Sequence, residues 1–151
     1  MATMPSAFTP SHVVEVLERH HLLREVVCRH RWTLTCDGID GADSPISDIT
    51  YDTRKVEPGS LLFIKGRFKP EFLDGIDERG LAVYVAETEY ADRTNAIGII
   101  VEDVHKAMSL LSAEFYGRPQ DGLTLIGITG TKGKTTTAYL TQAALNAYSG
   151  G

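Results

Sequence analysis

The residues with the clearest chemical potential lie in a glycine-rich segment close to the last residue of the chain: Gly130, Thr131, Lys132, Gly133, Lys134, Thr135 and Thr136. An apolar run at 123–128 precedes this segment, and the sequence predicts a helix from about 134 to 148. A turn from a buried strand into a helix presents backbone N–H groups at the positive end of the helix dipole, where phosphate binds. Lys134 adds a positive charge for the outer phosphates, and the Thr135 hydroxyl is a ligand for Mg²⁺. The segment therefore predicts a nucleoside triphosphate site.

The spacing of this segment differs from the usual P-loop pattern, because Ile128 rather than glycine lies five residues before Gly133. Glycine and threonine are also ordinary residues in a turn that binds nothing, which is the alternative interpretation. A turn that binds nothing does not require a Gly-Lys-Thr core behind an apolar strand. We therefore favour the interpretation that the segment binds phosphate. Thr136 is then expected to donate a hydrogen bond to a phosphate oxygen.

Composition limits the class of protein. The chain has 151 residues, 42% of them hydrophobic and 23% charged, which is typical of a globular protein of about one domain. A net charge of −5 argues against nucleic acid as a partner. Five basic residues are nevertheless candidates for a local anion-binding patch: Arg29, Arg31, Lys65, Arg67 and Lys69.

The sequence indicates a cytoplasmic protein without membrane insertion. The first ten residues have neither the basic start nor the apolar stretch of a secretory signal. Apolar runs such as 96–101 are far shorter than the ~18 residues that cross a bilayer. Cys28 and Cys36 have no metal-ligand spacing and are predicted to be free thiols in a reducing compartment.

The elements that must position these residues alternate between strands and helices. Strands are predicted at 32–35, 46–53, 61–64, 81–86 and 97–101. Helices are predicted after an N-cap at Ser11, at 71–79 with Phe72, Leu73 and Ile76 inward, and after an N-cap at Asp103. This order predicts an α/β fold with a largely parallel sheet.

The domain organisation is uneven. Residues 1–120 contain enough elements to fold alone, and the polar segment 118–122 is the predicted linker. Residues 121–151 contain one predicted strand and one helix, which cannot cover both faces of a parallel strand. We therefore expect the chain to be the N-terminal piece of a longer enzyme.

Separate motifs together resemble the Mur ligases of bacterial peptidoglycan synthesis. They are S-D-I-T-Y-D-T-R-K-V at 47–56, P-G-S-L-L-F at 58–63 and G-I-T-G-T-K-G-K-T-T at 127–136, with the segment 106–120 similar to the last helix of that family's first domain. The resemblance covers roughly residues 11–148 but only the front of a three-domain family member. The segment after Gly66 is more similar to the lysine-adding branch.

The resemblance implies a UDP-sugar-binding domain at 1–120 and the start of a central ATP-binding domain at 121–151. It implies an ATP-dependent ligase that adds the third amino acid to UDP-N-acetylmuramoyl-dipeptide through an acyl phosphate. Lys134 would be the catalytic residue on the β- and γ-phosphates, Thr135 the ligand to Mg²⁺, and the loop from Gly130 to Thr136 the seat of ATP. Thr53 and Arg54 would contact the sugar nucleotide, with Thr53 in the place of the family's serine.

The residues of the Asp-Thr-Arg segment also allow a structural explanation. Asp52 is a suitable cap for a turn, and Arg54 could form a surface ion pair worth at most about 1 kcal/mol. The residues alone leave both interpretations open, and the resemblance favours substrate contact.

Two alternative functions remain. One is a non-catalytic module that binds a nucleotide sugar, and the other is a different P-loop amino-acid ligase such as a folylpolyglutamate synthase. The D-T-R and P-G-x-L-x-F segments argue against the latter. The family's metal-binding glutamate and histidine, its modified lysine and its amino-acid pocket are implied to lie outside these residues, so we predict that this polypeptide alone forms no amide bond.

Overall fold

A computed structural model of the chain describes residues 7–149. The prediction that the first ten residues form no secretory signal therefore falls largely outside the described residues. The chain divides into two compact units, Met1–Arg118 and Pro119–Gly151.

Among residues 7–149, the first unit contains two helices and six strands, and the second contains one helix. The helices are α1 Pro10–Arg19, α2 Val104–Phe115 and α3 Lys134–Ser149. The strands are β1 Leu23–Cys28, β2 Arg31–Thr33, β3 Asp48–Thr50, β4 Ser60–Phe63, β5 Val83–Ala86 and β6 Ile97–Val101. Short 3₁₀ turns cover Thr53–Lys55, Pro70–Leu73, Asp77–Arg79 and Pro119–Gly122.

The six strands form one mixed sheet in the order β2-β1-β6-β5-β4-β3. Strands β3 to β6 are parallel, whereas β1 runs antiparallel to both β6 and β2. The α/β class is confirmed, but the expectation of a largely parallel sheet holds for only four of the strands. The two-residue turn between β1 and β2 permits only an antiparallel pair. No strand was predicted at residues 23–28, where β1 lies.

The sheet of the first unit is buried on both faces. On β4, the side chains of Leu61 and Phe63 belong to the same core as α1 and α2, while Leu62 belongs to a second core on the opposite face. That second face is covered by the 3₁₀ turns, which contribute Leu73 and Ile76. Because both faces are covered, β4, β5 and β6 are apolar at nearly every position rather than alternating with polar residues.

Two details of the predicted helices are wrong. The side chain of Thr9, not Ser11, caps α1 by accepting a hydrogen bond from the His12 amide, and Pro10 occupies the first turn. The predicted helix at 71–79 is replaced by two 3₁₀ turns, and Phe72 is 54% exposed. Gly75 interrupts the segment with a φ of 73°, a conformation that a continuous helix does not contain.

The helix predicted after Asp103 is confirmed as α2, which begins at Val104. Asp103 Oδ1 accepts hydrogen bonds from the amides of His105 and Lys106, which is the predicted N-cap. Val104, Ala107 and Leu111 are buried on one face of the helix. Within residues 7–149, no helix is both long enough and apolar enough to cross a bilayer.

The second unit contains α3 as predicted, but the strand that was expected before it is not formed. Residues 123–133 have no regular secondary structure, and no described side chain after residue 118 is buried. The physical reason is that a strand is stabilised by hydrogen bonds to neighbouring strands, and this unit contains none. The structure therefore contradicts the predicted strand of this strand–loop–helix unit.

Candidate functional sites

The glycine-rich loop lies directly before α3. Gly130 has a φ of 149° and Gly133 a φ of 77°, conformations that side chains disfavour. The helix begins at Lys134, and its first hydrogen bond joins the Thr137 amide to the Gly133 carbonyl at 2.9 Å. The glycines thus allow the chain to turn sharply into the helix, as the sequence predicts for residues of this type.

The polar groups of this loop are arranged in a way that suits an anion. None of the backbone amides from Gly130 to Thr136 donates a hydrogen bond within the part of the chain that is described. Lys134 Nζ donates to the Gly130 carbonyl at 2.6 Å, so the ammonium folds back over the loop. A cavity of about 440 Å³ adjoins the loop and is lined by Ile128, Lys134, Thr135, Ala138, Tyr139 and Gln142. Unpaired amides at the start of a helix, with an ammonium beside them, fit a phosphate group.

The Asp-Thr-Arg segment forms a capped turn after β3. Asp52 Oδ1 accepts from the Arg54 amide at 3.0 Å and from its Nε at 2.9 Å, while Oδ2 accepts from Nη2 at 2.7 Å. These hydrogen bonds from Arg54 lower the pKa of Asp52 to about 2. Asp52 therefore caps the turn and pairs with Arg54, as the structural explanation of this segment predicted. The Arg54 side chain is nevertheless 85% exposed, and its Nη1 makes no hydrogen bond within the described residues.

Thr53 lies at the centre of this turn and is half-buried. Its hydroxyl makes no hydrogen bond among the described residues, whereas its carbonyl accepts one from Arg79 Nη1 at 3.0 Å. Arg79 belongs to the 3₁₀ turn Asp77–Arg79, which precedes β5. Arg79 was not predicted from the sequence, because nothing in the spacing from residue 53 to residue 79 signals this contact.

Aromatic and basic side chains surround the same edge of the sheet. Since β3 and β4 are parallel, the residues that follow them emerge on one side. The Lys65 ammonium lies 4.4 Å from the centre of the Tyr51 ring, which is 66% exposed. Phe68 follows in the next turn, with its ring 5.6 Å from that of Phe72 and 5.7 Å from that of Tyr90. Of the predicted basic patch, Lys65 thus lies over the ring of Tyr51, three residues before Arg54, and Tyr51 was not among the predicted residues.

A second cluster of polar side chains proves to be structural. Ligand atoms of Glu87, Asp103 and His105 lie within 4.8 Å of one another. Both carboxylates are already engaged at the start of α2, where Glu87 Oε1 accepts from the Val104 amide at 3.0 Å and Asp103 caps the next residues. The cluster is therefore explained by helix capping.

Comparison with known proteins gives a consistent result. No protein-family model matches the chain. It is 60% identical over 145 residues to a UDP-N-acetylmuramyl-tripeptide synthetase of Bifidobacterium longum, covering 96% of this chain and 28% of the relative. It is 44% identical over 142 residues to the protein of the same name from Ligilactobacillus salivarius, covering 94% of this chain and 25% of the relative.

A third relative carries a more specific name. The UDP-N-acetylmuramoyl-L-alanyl-D-glutamate–L-lysine ligase of Enterococcus faecalis is 42% identical over 133 residues, which is 87% of this chain and 26% of the relative. The chain thus spans about a quarter of the length of the curated relatives it matches. Identity at this level over nearly the whole chain shows that the chain is homologous to a part of the proteins named UDP-N-acetylmuramyl-tripeptide synthetase.

Proposed function

We propose that the chain supplies the sugar-nucleotide-binding domain, residues 1–120, and the start of the ATP-binding domain, residues 121–151, of a cytoplasmic ligase. This ligase adds the third amino acid to UDP-N-acetylmuramoyl-dipeptide in peptidoglycan synthesis. The observation that carries the proposal is the 60% identity over 96% of the chain to a protein named as a tripeptide synthetase. L-lysine is the amino acid in the name of the Enterococcus relative, and we extend it to this chain as the first amino acid to test.

The first unit offers suitable groups for a sugar nucleotide at the turn after β3. A nucleoside diphosphate carries negative charge, and the exposed guanidinium of Arg54 has an unpaired Nη1 with which to meet it. The free hydroxyl of Thr53 is available for a hydrogen bond to the same ligand. Asp52 keeps the turn and the arginine in place, so that its role is to position Arg54.

The second unit offers unpaired amides and Lys134 for the phosphates of ATP, and the Thr135 hydroxyl for Mg²⁺. The amides of residues 130–136 would hold phosphate oxygens, Lys134 would exchange the Gly130 carbonyl for the β- and γ-phosphates, and Thr135 would hold the metal. ATP, when bound, supplies the phosphoryl group that activates the substrate carboxylate. We infer that residues 123–128 form a strand when the remainder of such a ligase provides neighbouring strands.

The test of the proposal uses calorimetry on the 151-residue chain. We expect UDP-N-acetylmuramoyl-L-alanyl-D-glutamate to bind at one site, and Arg54→Ala to weaken that binding about tenfold, the value of one charge-assisted hydrogen bond. Arg19→Ala, an exposed arginine at the end of α1, is the matched control and should bind as the unchanged chain does. Failure of the sugar nucleotide to bind, or equal binding by Arg54→Ala, would contradict the assignment of this turn.

A second measurement separates the ligase from a non-catalytic module. The chain alone, given ATP, Mg²⁺, the dipeptide substrate and L-lysine, is expected to form no amide. A longer natural protein containing these residues is expected to form it. If that longer protein binds the sugar nucleotide but neither binds nor hydrolyses ATP, the non-catalytic module is the correct alternative.

A further inference from the structure

A cavity of the first unit lies beside the hairpin that joins β1 to β2. Its volume is about 530 Å³, within the usual range for small-molecule sites. Its walls come from the turn between β1 and β2, from the loop at 37–44, and from the segments before β5 and β6. Strands β5 and β6 are parallel, so the segments that precede them lie at one edge of the sheet; Arg79, between the lining residues Asp77 and Leu81, donates a hydrogen bond to the Thr53 carbonyl.

Charges of opposite sign line this cavity without pairing. Arg29 and Arg31 come from the β1–β2 hairpin, and Asp37 and Asp40 come from the loop. Within the described residues, no ion pair joins either arginine to either aspartate. Two carboxylates in the wall already accept hydrogen bonds: Asp37 Oδ2 from Thr35 Oγ1 at 2.9 Å, and Asp77 from Thr94 Oγ1 and from the amide and side chain of Asn95. Both arginines, Asp40 and the second carboxylate oxygen of Asp37 thus remain available to a ligand.

The hairpin turn that presents the arginines has an unusual sequence. Arg29 and His30 both adopt left-handed backbone conformations, with φ of 47° and 60°. Two-residue hairpins of this kind normally use Asn-Gly, because positive φ is unfavourable for residues with long side chains. His30 Nδ1 lies 3.8 Å from Asp92 Oδ1, and both side chains are largely exposed. The turn accordingly holds Arg29 at the cavity despite a backbone cost.

An aromatic side chain completes the cavity. Trp32 is 55% exposed on the edge strand β2, and Ile39 and Leu81 contribute apolar surface to the same lining. A ligand that uses all of these groups carries one negative end, one positive end and an apolar part between or beside them. We propose that this cavity binds a zwitterionic amino acid with an apolar or aromatic side chain. Its carboxylate meets Arg29 and Arg31, its ammonium meets Asp37 and Asp40, and its side chain lies on Trp32.

This site is independent of the proposed ligase function. It uses none of the residues at Asp52–Arg54 or in the glycine-rich loop, and the apolar preference distinguishes its ligand from L-lysine. Loss of sugar-nucleotide binding and loss of amino-acid binding are therefore separate results.

The test exploits the fact that Trp32 is the only tryptophan in the sequence. Tryptophan fluorescence of the 151-residue chain is followed while L-phenylalanine is added, and the same titration is run with 3-phenylpropionate, which lacks the ammonium, and with phenethylamine, which lacks the carboxylate. We expect a saturable change with L-phenylalanine and affinities about tenfold weaker or more for each half-charged analogue. Arg31→Gln and Asp40→Asn should weaken L-phenylalanine binding by a similar factor.

Matched controls separate charge recognition from general effects. Arg19→Gln and Glu18→Gln remove the same charges from the exposed end of α1 and should leave the titration unchanged. Circular dichroism of each variant verifies the fold, and all substituted side chains are exposed. The proposal is overturned if L-phenylalanine gives no saturable change, or if both analogues bind as tightly as the zwitterion. Equal binding by Arg31→Gln and Asp40→Asn would also overturn it, since the response would then be nonspecific contact with the indole.

Discussion

The ring of Tyr84 occupies the space in which any residue other than glycine at position 98 would place its Cβ. The two residues are directly paired between β5 and β6, and a Cβ built on Gly98 lies 2.3 Å from Tyr84 Oη and 2.4 Å from its Cζ. Tyr84 is fully buried, and its Oη accepts a hydrogen bond from the Tyr90 amide at 2.9 Å. Gly98 is thus required by packing rather than by backbone conformation.

We predict that Gly98→Ala destabilises the first unit by about 3 kcal/mol or more, at the upper end of overpacking costs, because the opposing atoms belong to a rigid buried ring. Urea denaturation measures the change. Gly127→Ala is the control, since a Cβ there meets nothing within 4 Å. Combining Gly98→Ala with Tyr84→Leu should cost less than the sum of the single changes, and simple additivity would show that the contact is not the cause.

The same tyrosine makes the fold sensitive to alkali. Burial raises the pKa of Tyr84 to about 12 from an ordinary value of 10. The unfolded chain therefore releases this proton first, so stability is complete below pH 10 and falls by about 2 to 3 kcal/mol as the pH rises towards 12. Unfolding in urea between pH 9 and about 12 measures the loss. Tyr84→Phe should remove this part of the pH dependence, at a cost of about 1 kcal/mol for the unpaired Tyr90 amide.

Much of the first unit was predictable because its cores are formed by residues whose pattern is local. The apolar strands β5 and β6 are covered on both faces, and α2 has its Asp103 cap and helical spacing within one stretch of sequence. The capped Asp-Thr-Arg turn was predictable for the same reason, since Asp52 and Arg54 are two residues apart.

The features that were missed depend on distant residues. The antiparallel β1 is fixed by pairing with β6, more than seventy positions along the chain, and periodicity does not reveal that partner. The hydrogen bond from Arg79 to the Thr53 carbonyl joins residues 26 apart. The predicted strand at 123–128 is not formed, and the reason is the opposite one. Its local pattern favours a strand, but the unit has no neighbour to supply the hydrogen bonds.

Arg79 is predicted to act as a positioning residue for the sugar-nucleotide site. Its hydrogen bond at 3.0 Å to the Thr53 carbonyl holds the turn that carries Thr53 and Arg54. Arg79→Ala should weaken binding of UDP-N-acetylmuramoyl-L-alanyl-D-glutamate about fivefold, which corresponds to about 1 kcal/mol. Calorimetry gives the affinity, and Arg79→Lys, which retains a donor, should restore part of it. A fall in unfolding free energy with unchanged affinity would make Arg79 merely structural.

Lys134 is predicted to matter in any active enzyme that contains this loop. Its ammonium donates to the Gly130 carbonyl in the loop, and at the proposed ATP site it would stabilise charge that develops on the transferred phosphoryl group. Lys134→Ala should lower turnover by at least about tenfold, while Lys106→Ala, an exposed lysine on α2, should leave it unchanged. Steady-state measurements of phosphate release give both values. Unchanged turnover in Lys134→Ala would remove the phosphate role from this residue.

Hydrogen exchange should distinguish the two units of the 151-residue chain. The amides of β5 and β6 are paired within a sheet that is buried on both faces, so they should exchange only on extensive unfolding of the first unit. Residues 124–133 include no amide with a partner among residues 7–149, so these should exchange close to the rate of an unstructured peptide. Mass spectrometry of short peptides measures both regions, with α2 as the reference for a protected helix. Slow exchange at residues 124–128 would mean that the segment finds a strand partner without the rest of a ligase, and the proposed dependence of this strand on further chain would be wrong.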